Sequence, residues 1–330
     1  MFKKLFISIF FVLTLFVGVG TIVTASELKE NNKAYLQKYL SNDYAFLGYI
    51  NVQEMLKHKD LESLMKAVCA SDGIDFEECR LEDEALIVVK DENNLYAVTT
   101  YIVPKKEYLP VAKKFNSVDE KKLANKDIYI ITPKKKDVFG EITPNYVYFI
   151  DDKTSVATDS EASLKNFINN FIDNENKSKL TTKTKKDFNL ISQYGFGLLC
   201  DIPEFADGII TFELPKKAKV NNFKLNATMN LSDIETYKDM KEGYLANRDI
   251  LFAVAGMQLK DDTFAKKLKR DLKVDFDDVK AAVNLKFDFK SEDYGDVLGK
   301  AYDLINQHLA ELDAKGKQDN QASNKSKVNN

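Results

Sequence analysis

Residues 44–56 read YAFLGYINVQEML, and residues 194–206 read YGFGLLCDIPEFA. The two stretches align without a gap. Three aligned pairs are identical, namely Tyr44 and Tyr194, Phe46 and Phe196, and Glu54 and Glu204. Each stretch opens with an apolar, aromatic run typical of a buried strand. A tandem duplication of one α+β unit would explain the match. Chance similarity is the alternative, because strand-to-helix junctions use similar residues in any case.

Outward from residues 44–56, the first half of the chain alternates strand and helix signals. Asn51 and Glu54 have the spacing of a capping box, which predicts a helix that begins after Asn51. Ser160 has the character of an N-cap for a later helix. The remaining strand signals lie at residues 85–90, 95–103, 127–132, 146–150 and 155–158, the first two of them forming a predicted hairpin.

The second half shows clearer alternation. Residues 223–231 alternate apolar and polar side chains, which predicts a half-buried strand. Ser232 and Glu235 then have capping-box spacing. A helix is predicted at about residues 262–272, and residues 279–290 carry the longest alternating strand signal. A final helix would carry Val297, Leu298, Ala301, Leu304 and Ile305.

These patterns predict an α+β protein with two similar subdomains. In each subdomain we expect a largely antiparallel sheet with helices packed on one face. The predicted segments are a signal peptide at 1–25, a first subdomain at 34–173, a linker at 174–187, a second subdomain at 188–313 and a disordered tail at 314–330.

The N-terminus has the three parts of a secretory signal peptide. Lys3 and Lys4 precede an apolar run at residues 5–19, and small residues lead up to Ala25. This pattern predicts cleavage between Ala25 and Ser26. An uncleaved membrane anchor is the alternative, because no charge occurs in residues 5–26 and about 20 apolar residues can span a bilayer. Either interpretation places the body of the protein outside the cytoplasm, periplasmic or secreted, and membrane contact would need the uncleaved segment.

Three cysteines occur, and two of them are close in sequence. In an exported protein, Cys69 and Cys79 are candidates for a disulfide that closes a short loop. The alternative is that all three are small buried thiols, which is a common environment for free cysteine. Cys200 ends an apolar run and is expected to be buried.

The 330 residues include few of the side chains that most enzymes use. There are two histidines, His58 in a polar stretch predicted to face solvent, and His308 on the final helix. No H-E-x-x-H motif or paired CxxC occurs, and the glycines at 195 and 197 lack the rest of a phosphate-binding loop. The sequence therefore predicts no catalytic, metal or cofactor site.

Clustered aspartates are the remaining candidates for chemistry, since exported hydrolases often use paired carboxylates. Aspartates at such positions usually cap helices or stabilise turns. The clusters are Asp151 and Asp152, Asp261 and Asp262, and Asp275, Asp277 and Asp278.

Charge also bears on the class of partner. The chain has 48 basic and 51 acidic residues, and only three of the basic residues are arginine. This disfavours nucleic-acid binding.

Together, these observations lead us to expect an exported, non-catalytic protein with a binding or envelope-structural role, whose ligand is an unknown protein or small molecule. The alternatives are an exported hydrolase with paired carboxylates and an extracytoplasmic protein held by an uncleaved N-terminal helix.

Overall fold

The computed structural model describes residues 29–58, 61, 65–66, 69–70, 74–91, 94–137, 140–174, 179–215, 222–258, 263–290 and 307. Its strands are β1 (Phe46–Asn51), β2 (Glu82–Val89), β3 (Leu95–Tyr101), β4 (Asn116–Leu123), β5 (Lys126–Pro133), β6 (Asn145–Phe149), β7 (Thr154–Thr158), β8 (Phe196–Ile202), β9 (Ala206–Glu213), β10 (Asn222–Leu231), β11 (Leu272–Asp277) and β12 (Ala282–Lys290). Its helices are α1 (Lys29–Leu36), α2 (Val52–Leu56), α3 (Phe76–Cys79), α4 (Lys105–Phe115), α5 (Glu161–Phe167), α6 (Thr182–Ile191), α7 (Ile234–Gln258) and α8 (Phe264–Asp271).

The twelve strands form one antiparallel sheet rather than two. Their order is β11-β12-β10-β9-β8-β1-β2-β3-β7-β6-β5-β4. The mixed α+β class is therefore confirmed, but the prediction of a separate sheet for each half is wrong. The reason is that β1 and β8, the two matching sequence stretches, pair with each other in the middle of the sheet. Gly48 lies opposite Leu198, the residue that aligns with it in sequence.

Helices cover both faces of the sheet, whereas the sequence predicted one. We call the face that bears Leu47 and Tyr49 face A, and the opposite face, with Phe46, face B. On face A, helices α1, α5 and α6 enclose an extended apolar core with strands of the first half. On face B, α4 packs through Tyr108 and Ala112 against the same strands. Face B of the second half contacts α7 through Tyr237 and Tyr244, both of which meet Phe276.

Most predicted strands and caps of the first half are present. The Asn51 side chain accepts the Glu54 N–H at 2.8 Å and so caps α2, and Ser160 accepts the Ser163 N–H at 3.2 Å at the start of α5. Both are the N-terminal hydrogen bonds that the spacing predicts. The predicted linker at 174–187 needs correction, because α6 begins inside it. Polar residues in that stretch are the outward face of a helix whose other face buries Phe188 and Ile191.

Several features of the second half differ from the prediction. Asp233, not Ser232, caps α7, since its carboxylate accepts the Glu235 and Thr236 N–H groups at 3.2 and 2.9 Å. The predicted strand at 279–290 begins only at residue 282, because a turn precedes it and leaves Val279 95% exposed. Strands β4, β9 and β11 were not predicted. The predicted signal peptide, the final helix with His308, and the tail lie outside the described residues, apart from residue 307.

Candidate functional site

The aspartates that the sequence singled out serve turns. Asp151 accepts the Lys153 N–H at 2.8 Å in the β6–β7 turn. Asp277 accepts the N–H groups of Val279 and Lys280 at 3.0 and 3.1 Å in the β11–β12 turn. These are the local hydrogen bonds that aspartate commonly makes in turns.

The other members of these clusters have surface environments. Asp278 accepts the Tyr237 hydroxyl at 2.7 Å and forms an ion pair with the Lys241 Nζ at 2.6 Å, and these contacts lower the pKa of Asp278. Asp152 and Asp275 are exposed. Asp261 and Asp262 lie outside the described residues. Local structural contacts therefore account for Asp151, Asp277 and Asp278.

His58 is buried, so the prediction that it faces solvent is wrong. Only 5% of the residue is exposed, and its ring packs edge-on against Phe223 of β10 with centroids 5.8 Å apart. Burial, assisted by the charge of Lys57, lowers the pKa of His58 to about 4. The imidazole is therefore neutral at physiological pH and acts as part of the apolar packing on face B.

Of the three cysteines, two form a disulfide and one is a free thiol. Cys69 and Cys79 are joined as a disulfide that ties α3 to the preceding segment. Cys200 is a half-buried free thiol on β8. Burial raises the pKa of Cys200 to about 11, so this thiol is not an activated nucleophile.

Two glutamates that the sequence did not single out come together on face B. Strand β2 contains a bulge between Glu82 and Ala85, which places Glu82 opposite Tyr101 of β3. Because side chains alternate between faces, one extra residue moves Glu82 to the face that carries Tyr101. Glu78 of α3 lies close enough for its charge to raise the pKa of Glu82.

Glu78 has little contact with solvent. It is 5% exposed, and its Oε1 accepts a hydrogen bond from the Asn116 Nδ2 at 2.8 Å. Burial raises the pKa of Glu78 to about 7, while the hydrogen bond from Asn116 opposes that rise. Burial is also the largest cause that raises the pKa of Glu82 to about 7. Desolvation disfavours the charged form of each group, so protons bind near neutral pH.

Two tyrosines complete this carboxyl cluster, which we define as Glu78, Glu82, Tyr101, Tyr108 and Asn116. The Tyr101 and Tyr108 rings lie 4.5 Å apart, and the Tyr101 hydroxyl is 2.8 Å from the Ser155 Oγ. Burial raises the pKa of both phenols. The cluster thus holds two carboxyl groups that can give or take a proton near pH 7, beside neutral hydroxyl groups. This is the chemistry of a general acid and base, in a location with little solvent exposure.

A third buried carboxyl group lies on face A. Glu84 is 1% exposed, and its Oε1 accepts the Asn51 Nδ2 at 2.8 Å. The same amide lies 3.3 Å from the Tyr49 hydroxyl. Since the Asn51 Oδ1 caps α2, one side chain both begins a helix and binds a buried carboxyl group. The acidic run at residues 75–84 was the available sequence signal for both carboxyl sites, but it does not show the bulge that brings Glu82 to the face of Tyr101.

The carboxyl cluster predicts a defined pH dependence of stability. Because the pKa of Glu78 is raised from 4.5 to about 7 in the fold, its contribution to stability is complete below pH 4.5 and is lost as pH rises through 7. Urea unfolding should show that the free energy of unfolding falls between pH 5 and pH 8 by about 3 kcal/mol less in Glu78→Gln than in the unmodified protein. The exposed neighbour Glu77→Gln is the matched control and should follow the unmodified protein. Equal pH dependence in both variants would contradict the assignment.

No known protein family, curated protein or solved structure matches the chain. Among the described residues, no three or more histidine, cysteine, aspartate or glutamate side chains are grouped to hold a metal ion. None of the helices in the described part of the chain is both long and apolar enough to cross a membrane.

Proposed function

We propose that the protein is exported and non-catalytic, with a binding or envelope-structural role outside the cytoplasm. The observation that carries the export part of the proposal is the Cys69–Cys79 disulfide. Such bonds persist in oxidising compartments and are rare in the cytosol. The N-terminal charge and apolar pattern supports the same location, with Ser26 as the first mature residue.

Mass spectrometry of the protein from its native host tests the location. We expect a chain that begins at Ser26 and a non-reducing digest in which Cys69 and Cys79 share one linked peptide. An intact Met1 on membrane-associated protein would favour the anchored alternative. Full-length chain in the cytoplasm, with both thiols free, would contradict export.

The surface that best suits ligand binding is face A of strands β9, β10 and β12, which we call the polar face. Its side chains form cross-strand hydrogen bonds, including Thr228 to Asn284 at 2.9 Å and Asn230 to Asp207 at 2.7 Å. Lys224 and Lys286 are exposed beside them. Amide, hydroxyl, carboxylate and ammonium groups on one sheet face suit a ligand rich in hydrogen-bonding groups, either a protein or a polar small molecule.

A pull-down from the native envelope tests the polar face as the binding surface. We expect the unmodified protein to retain a partner that the double variant Lys224→Glu/Lys286→Glu loses. The variant Lys165→Glu, on the opposite half of the chain, is the control for nonspecific charge effects. Retention of the same partner by all three proteins would exclude the polar face.

We also propose that the two halves arose by duplication. Each half begins with a three-stranded antiparallel meander, β1-β2-β3 in the first half and β8-β9-β10 in the second. The last strand of each half then lies beside the third strand of its meander: β7 lies beside β3, and β12 lies beside β10. Corresponding strands share face-B residues: Val147 and Phe149 of β6 correspond to Val274 and Phe276 of β11. An experimental structure tests this. Superposition of β1, β2, β3, β6 and β7 on β8, β9, β10, β11 and β12 should succeed in that order, and failure would refute duplication.

The carboxyl cluster favours one other candidate function, an exported hydrolase that uses Glu78 and Glu82 in place of the aspartates. Its support is that both groups bind protons near pH 7. Its difficulty is that Glu78 is only 5% exposed. A panel of glycosidic, ester and peptide substrates tests it. Turnover that Glu78→Gln and Glu82→Gln abolish, but Glu77→Gln preserves, would establish the hydrolase. No turnover of any class would leave the non-catalytic proposal in place.

A further inference from the structure

The outer edge of β11 differs from the corresponding edge of the first half. Strand β11 pairs with β12 on one side, and it ends the sheet as far as the described strands go. In the first half, the corresponding strand β6 has β5 on its outer side, and β4 lies beyond β5. The position that a hairpin occupies in one half therefore has no described strand in the other. An exposed strand edge presents N–H and C=O groups that can pair with another strand.

The sequence of β11 fits one particular occupant, a second copy of itself. The strand reads LKVDFD over residues 272–277. Lys273 and Asp275 are exposed on face A. Neither makes an ion pair with another described residue. On face B, the apolar side chains Leu272, Val274 and Phe276 are only half-buried. Charges of both signs on one face and apolar groups on the other are the pattern of a half-buried antiparallel pair.

We propose that two copies of the chain associate through β11, paired antiparallel and centred on Val274, so that the two sheets become continuous. In this register each Lys273 lies opposite Asp275 of the second copy. Leu272 lies opposite Phe276, and Val274 lies opposite its counterpart. Opposite charges and apolar side chains are favourable cross-strand pairs. Centring the pair on Asp275 instead would place two aspartates directly opposite each other, which is unfavourable.

Charge reversal tests the register. Sedimentation velocity of the purified protein should show a dimer. Lys273→Glu and Asp275→Lys should each weaken it by about 10- to 30-fold, because each substitution places like charges opposite one another twice. The double variant Lys273→Glu/Asp275→Lys should restore the dimer. The two single variants, when mixed, should form a mixed dimer, since their charges are then complementary. Glu120→Lys on the other edge strand, β4, changes net charge by the same amount as Asp275→Lys and should have no effect.

Cross-linking gives an independent measurement. Residues directly opposite in an antiparallel pair have Cα atoms about 4.5–5.5 Å apart, a separation that a disulfide can bridge. Val274→Cys should therefore form a covalent dimer on mild oxidation. Val279→Cys, at a position that is 95% exposed in the adjacent turn, is the control and should not. A monomer at 100 μM (roughly the range where weak dimers form) would overturn the proposal. A dimer that all the charge variants retain would also overturn it. So would a dimer that is lost when residues 314–330 are removed.

Discussion

Replacing Asn51 with aspartate is expected to lower the free energy of unfolding at pH 8 by about 3 kcal/mol or more. The Oδ1 atom would still cap α2, but the Nδ2 donor to Glu84 would be lost. A second carboxylate would replace it, with its oxygen where the amide lies 2.8 Å from the Glu84 Oε1. Because Glu84 is 1% exposed, water cannot screen the two charges.

Urea unfolding at two pH values would identify the cause. Two adjacent buried carboxylates take up a proton, so the pKa of the pair rises in the fold. Stability of Asn51→Asp is then greater below the raised pKa and falls as pH increases, and the loss should be smaller at pH 5 than at pH 8. The double variant Asn51→Asp/Glu84→Gln should recover most of the loss, because one charge is removed and a donor is restored. A loss independent of pH, with no recovery in the double variant, would contradict this explanation.

Replacing Gly197 with alanine is expected to destabilise the fold by about 3 kcal/mol, at the upper end for overpacking. An added Cβ would lie 2.6 Å from the Ile191 Cβ and 2.7 Å from the Ile191 carbonyl oxygen. Ile191 is fully buried at the end of α6, so relief requires movement of helix backbone against β8. Gly197 thus has a packing role between β8 and α6.

Gly243 provides the matched control for this substitution. It is exposed on α7, and an added Cβ would meet nothing within 4 Å. Gly243→Ala should therefore stabilise the protein by up to about 1 kcal/mol, since alanine is the better helix former. Thermal unfolding should move the midpoints of the two variants in opposite directions. A midpoint for Gly197→Ala equal to that of the unmodified protein would mean that α6 can withdraw from β8 without loss.

The sequence predicts those strands whose apolar residues alternate or form runs. Strand β1 was evident as an apolar run because both of its faces are buried. Strand β10 was evident as an alternating pattern because only one of its faces is buried. Strand β4 was not evident because its sequence, NSVDEKKL, is mostly polar. An edge strand with exposed side chains needs little apolar patterning. Strand β11 is similar, because charged residues occupy alternate positions. Two of them, Asp275 and Asp277, were expected to cap helices or stabilise turns.

Residues that depend on distant contacts could not be placed from local patterns. His58 lies among lysine and aspartate in the sequence, but Phe223 of β10 buries it. Glu78 and Glu82 were one part of a longer acidic run, and the bulge in β2 that brings Glu82 to Tyr101 leaves no trace in apolar periodicity. The similarity of residues 44–56 and 194–206 was visible in the sequence, whereas their pairing in one sheet was not.

The pairing of β1 with β8 has a consequence for the synthesis of the protein. The two strands join over five residue pairs, from Phe46 with Cys200 to Ile50 with Phe196. A ribosome that adds about 5–20 residues per second therefore delivers β8 roughly 8–30 s after β1. Throughout that interval the apolar strand β1 is the edge of the first half, and the side that later pairs with β8 has no strand beside it. A chaperone that shields this side until the second half emerges would prevent newly made chains from joining one another there.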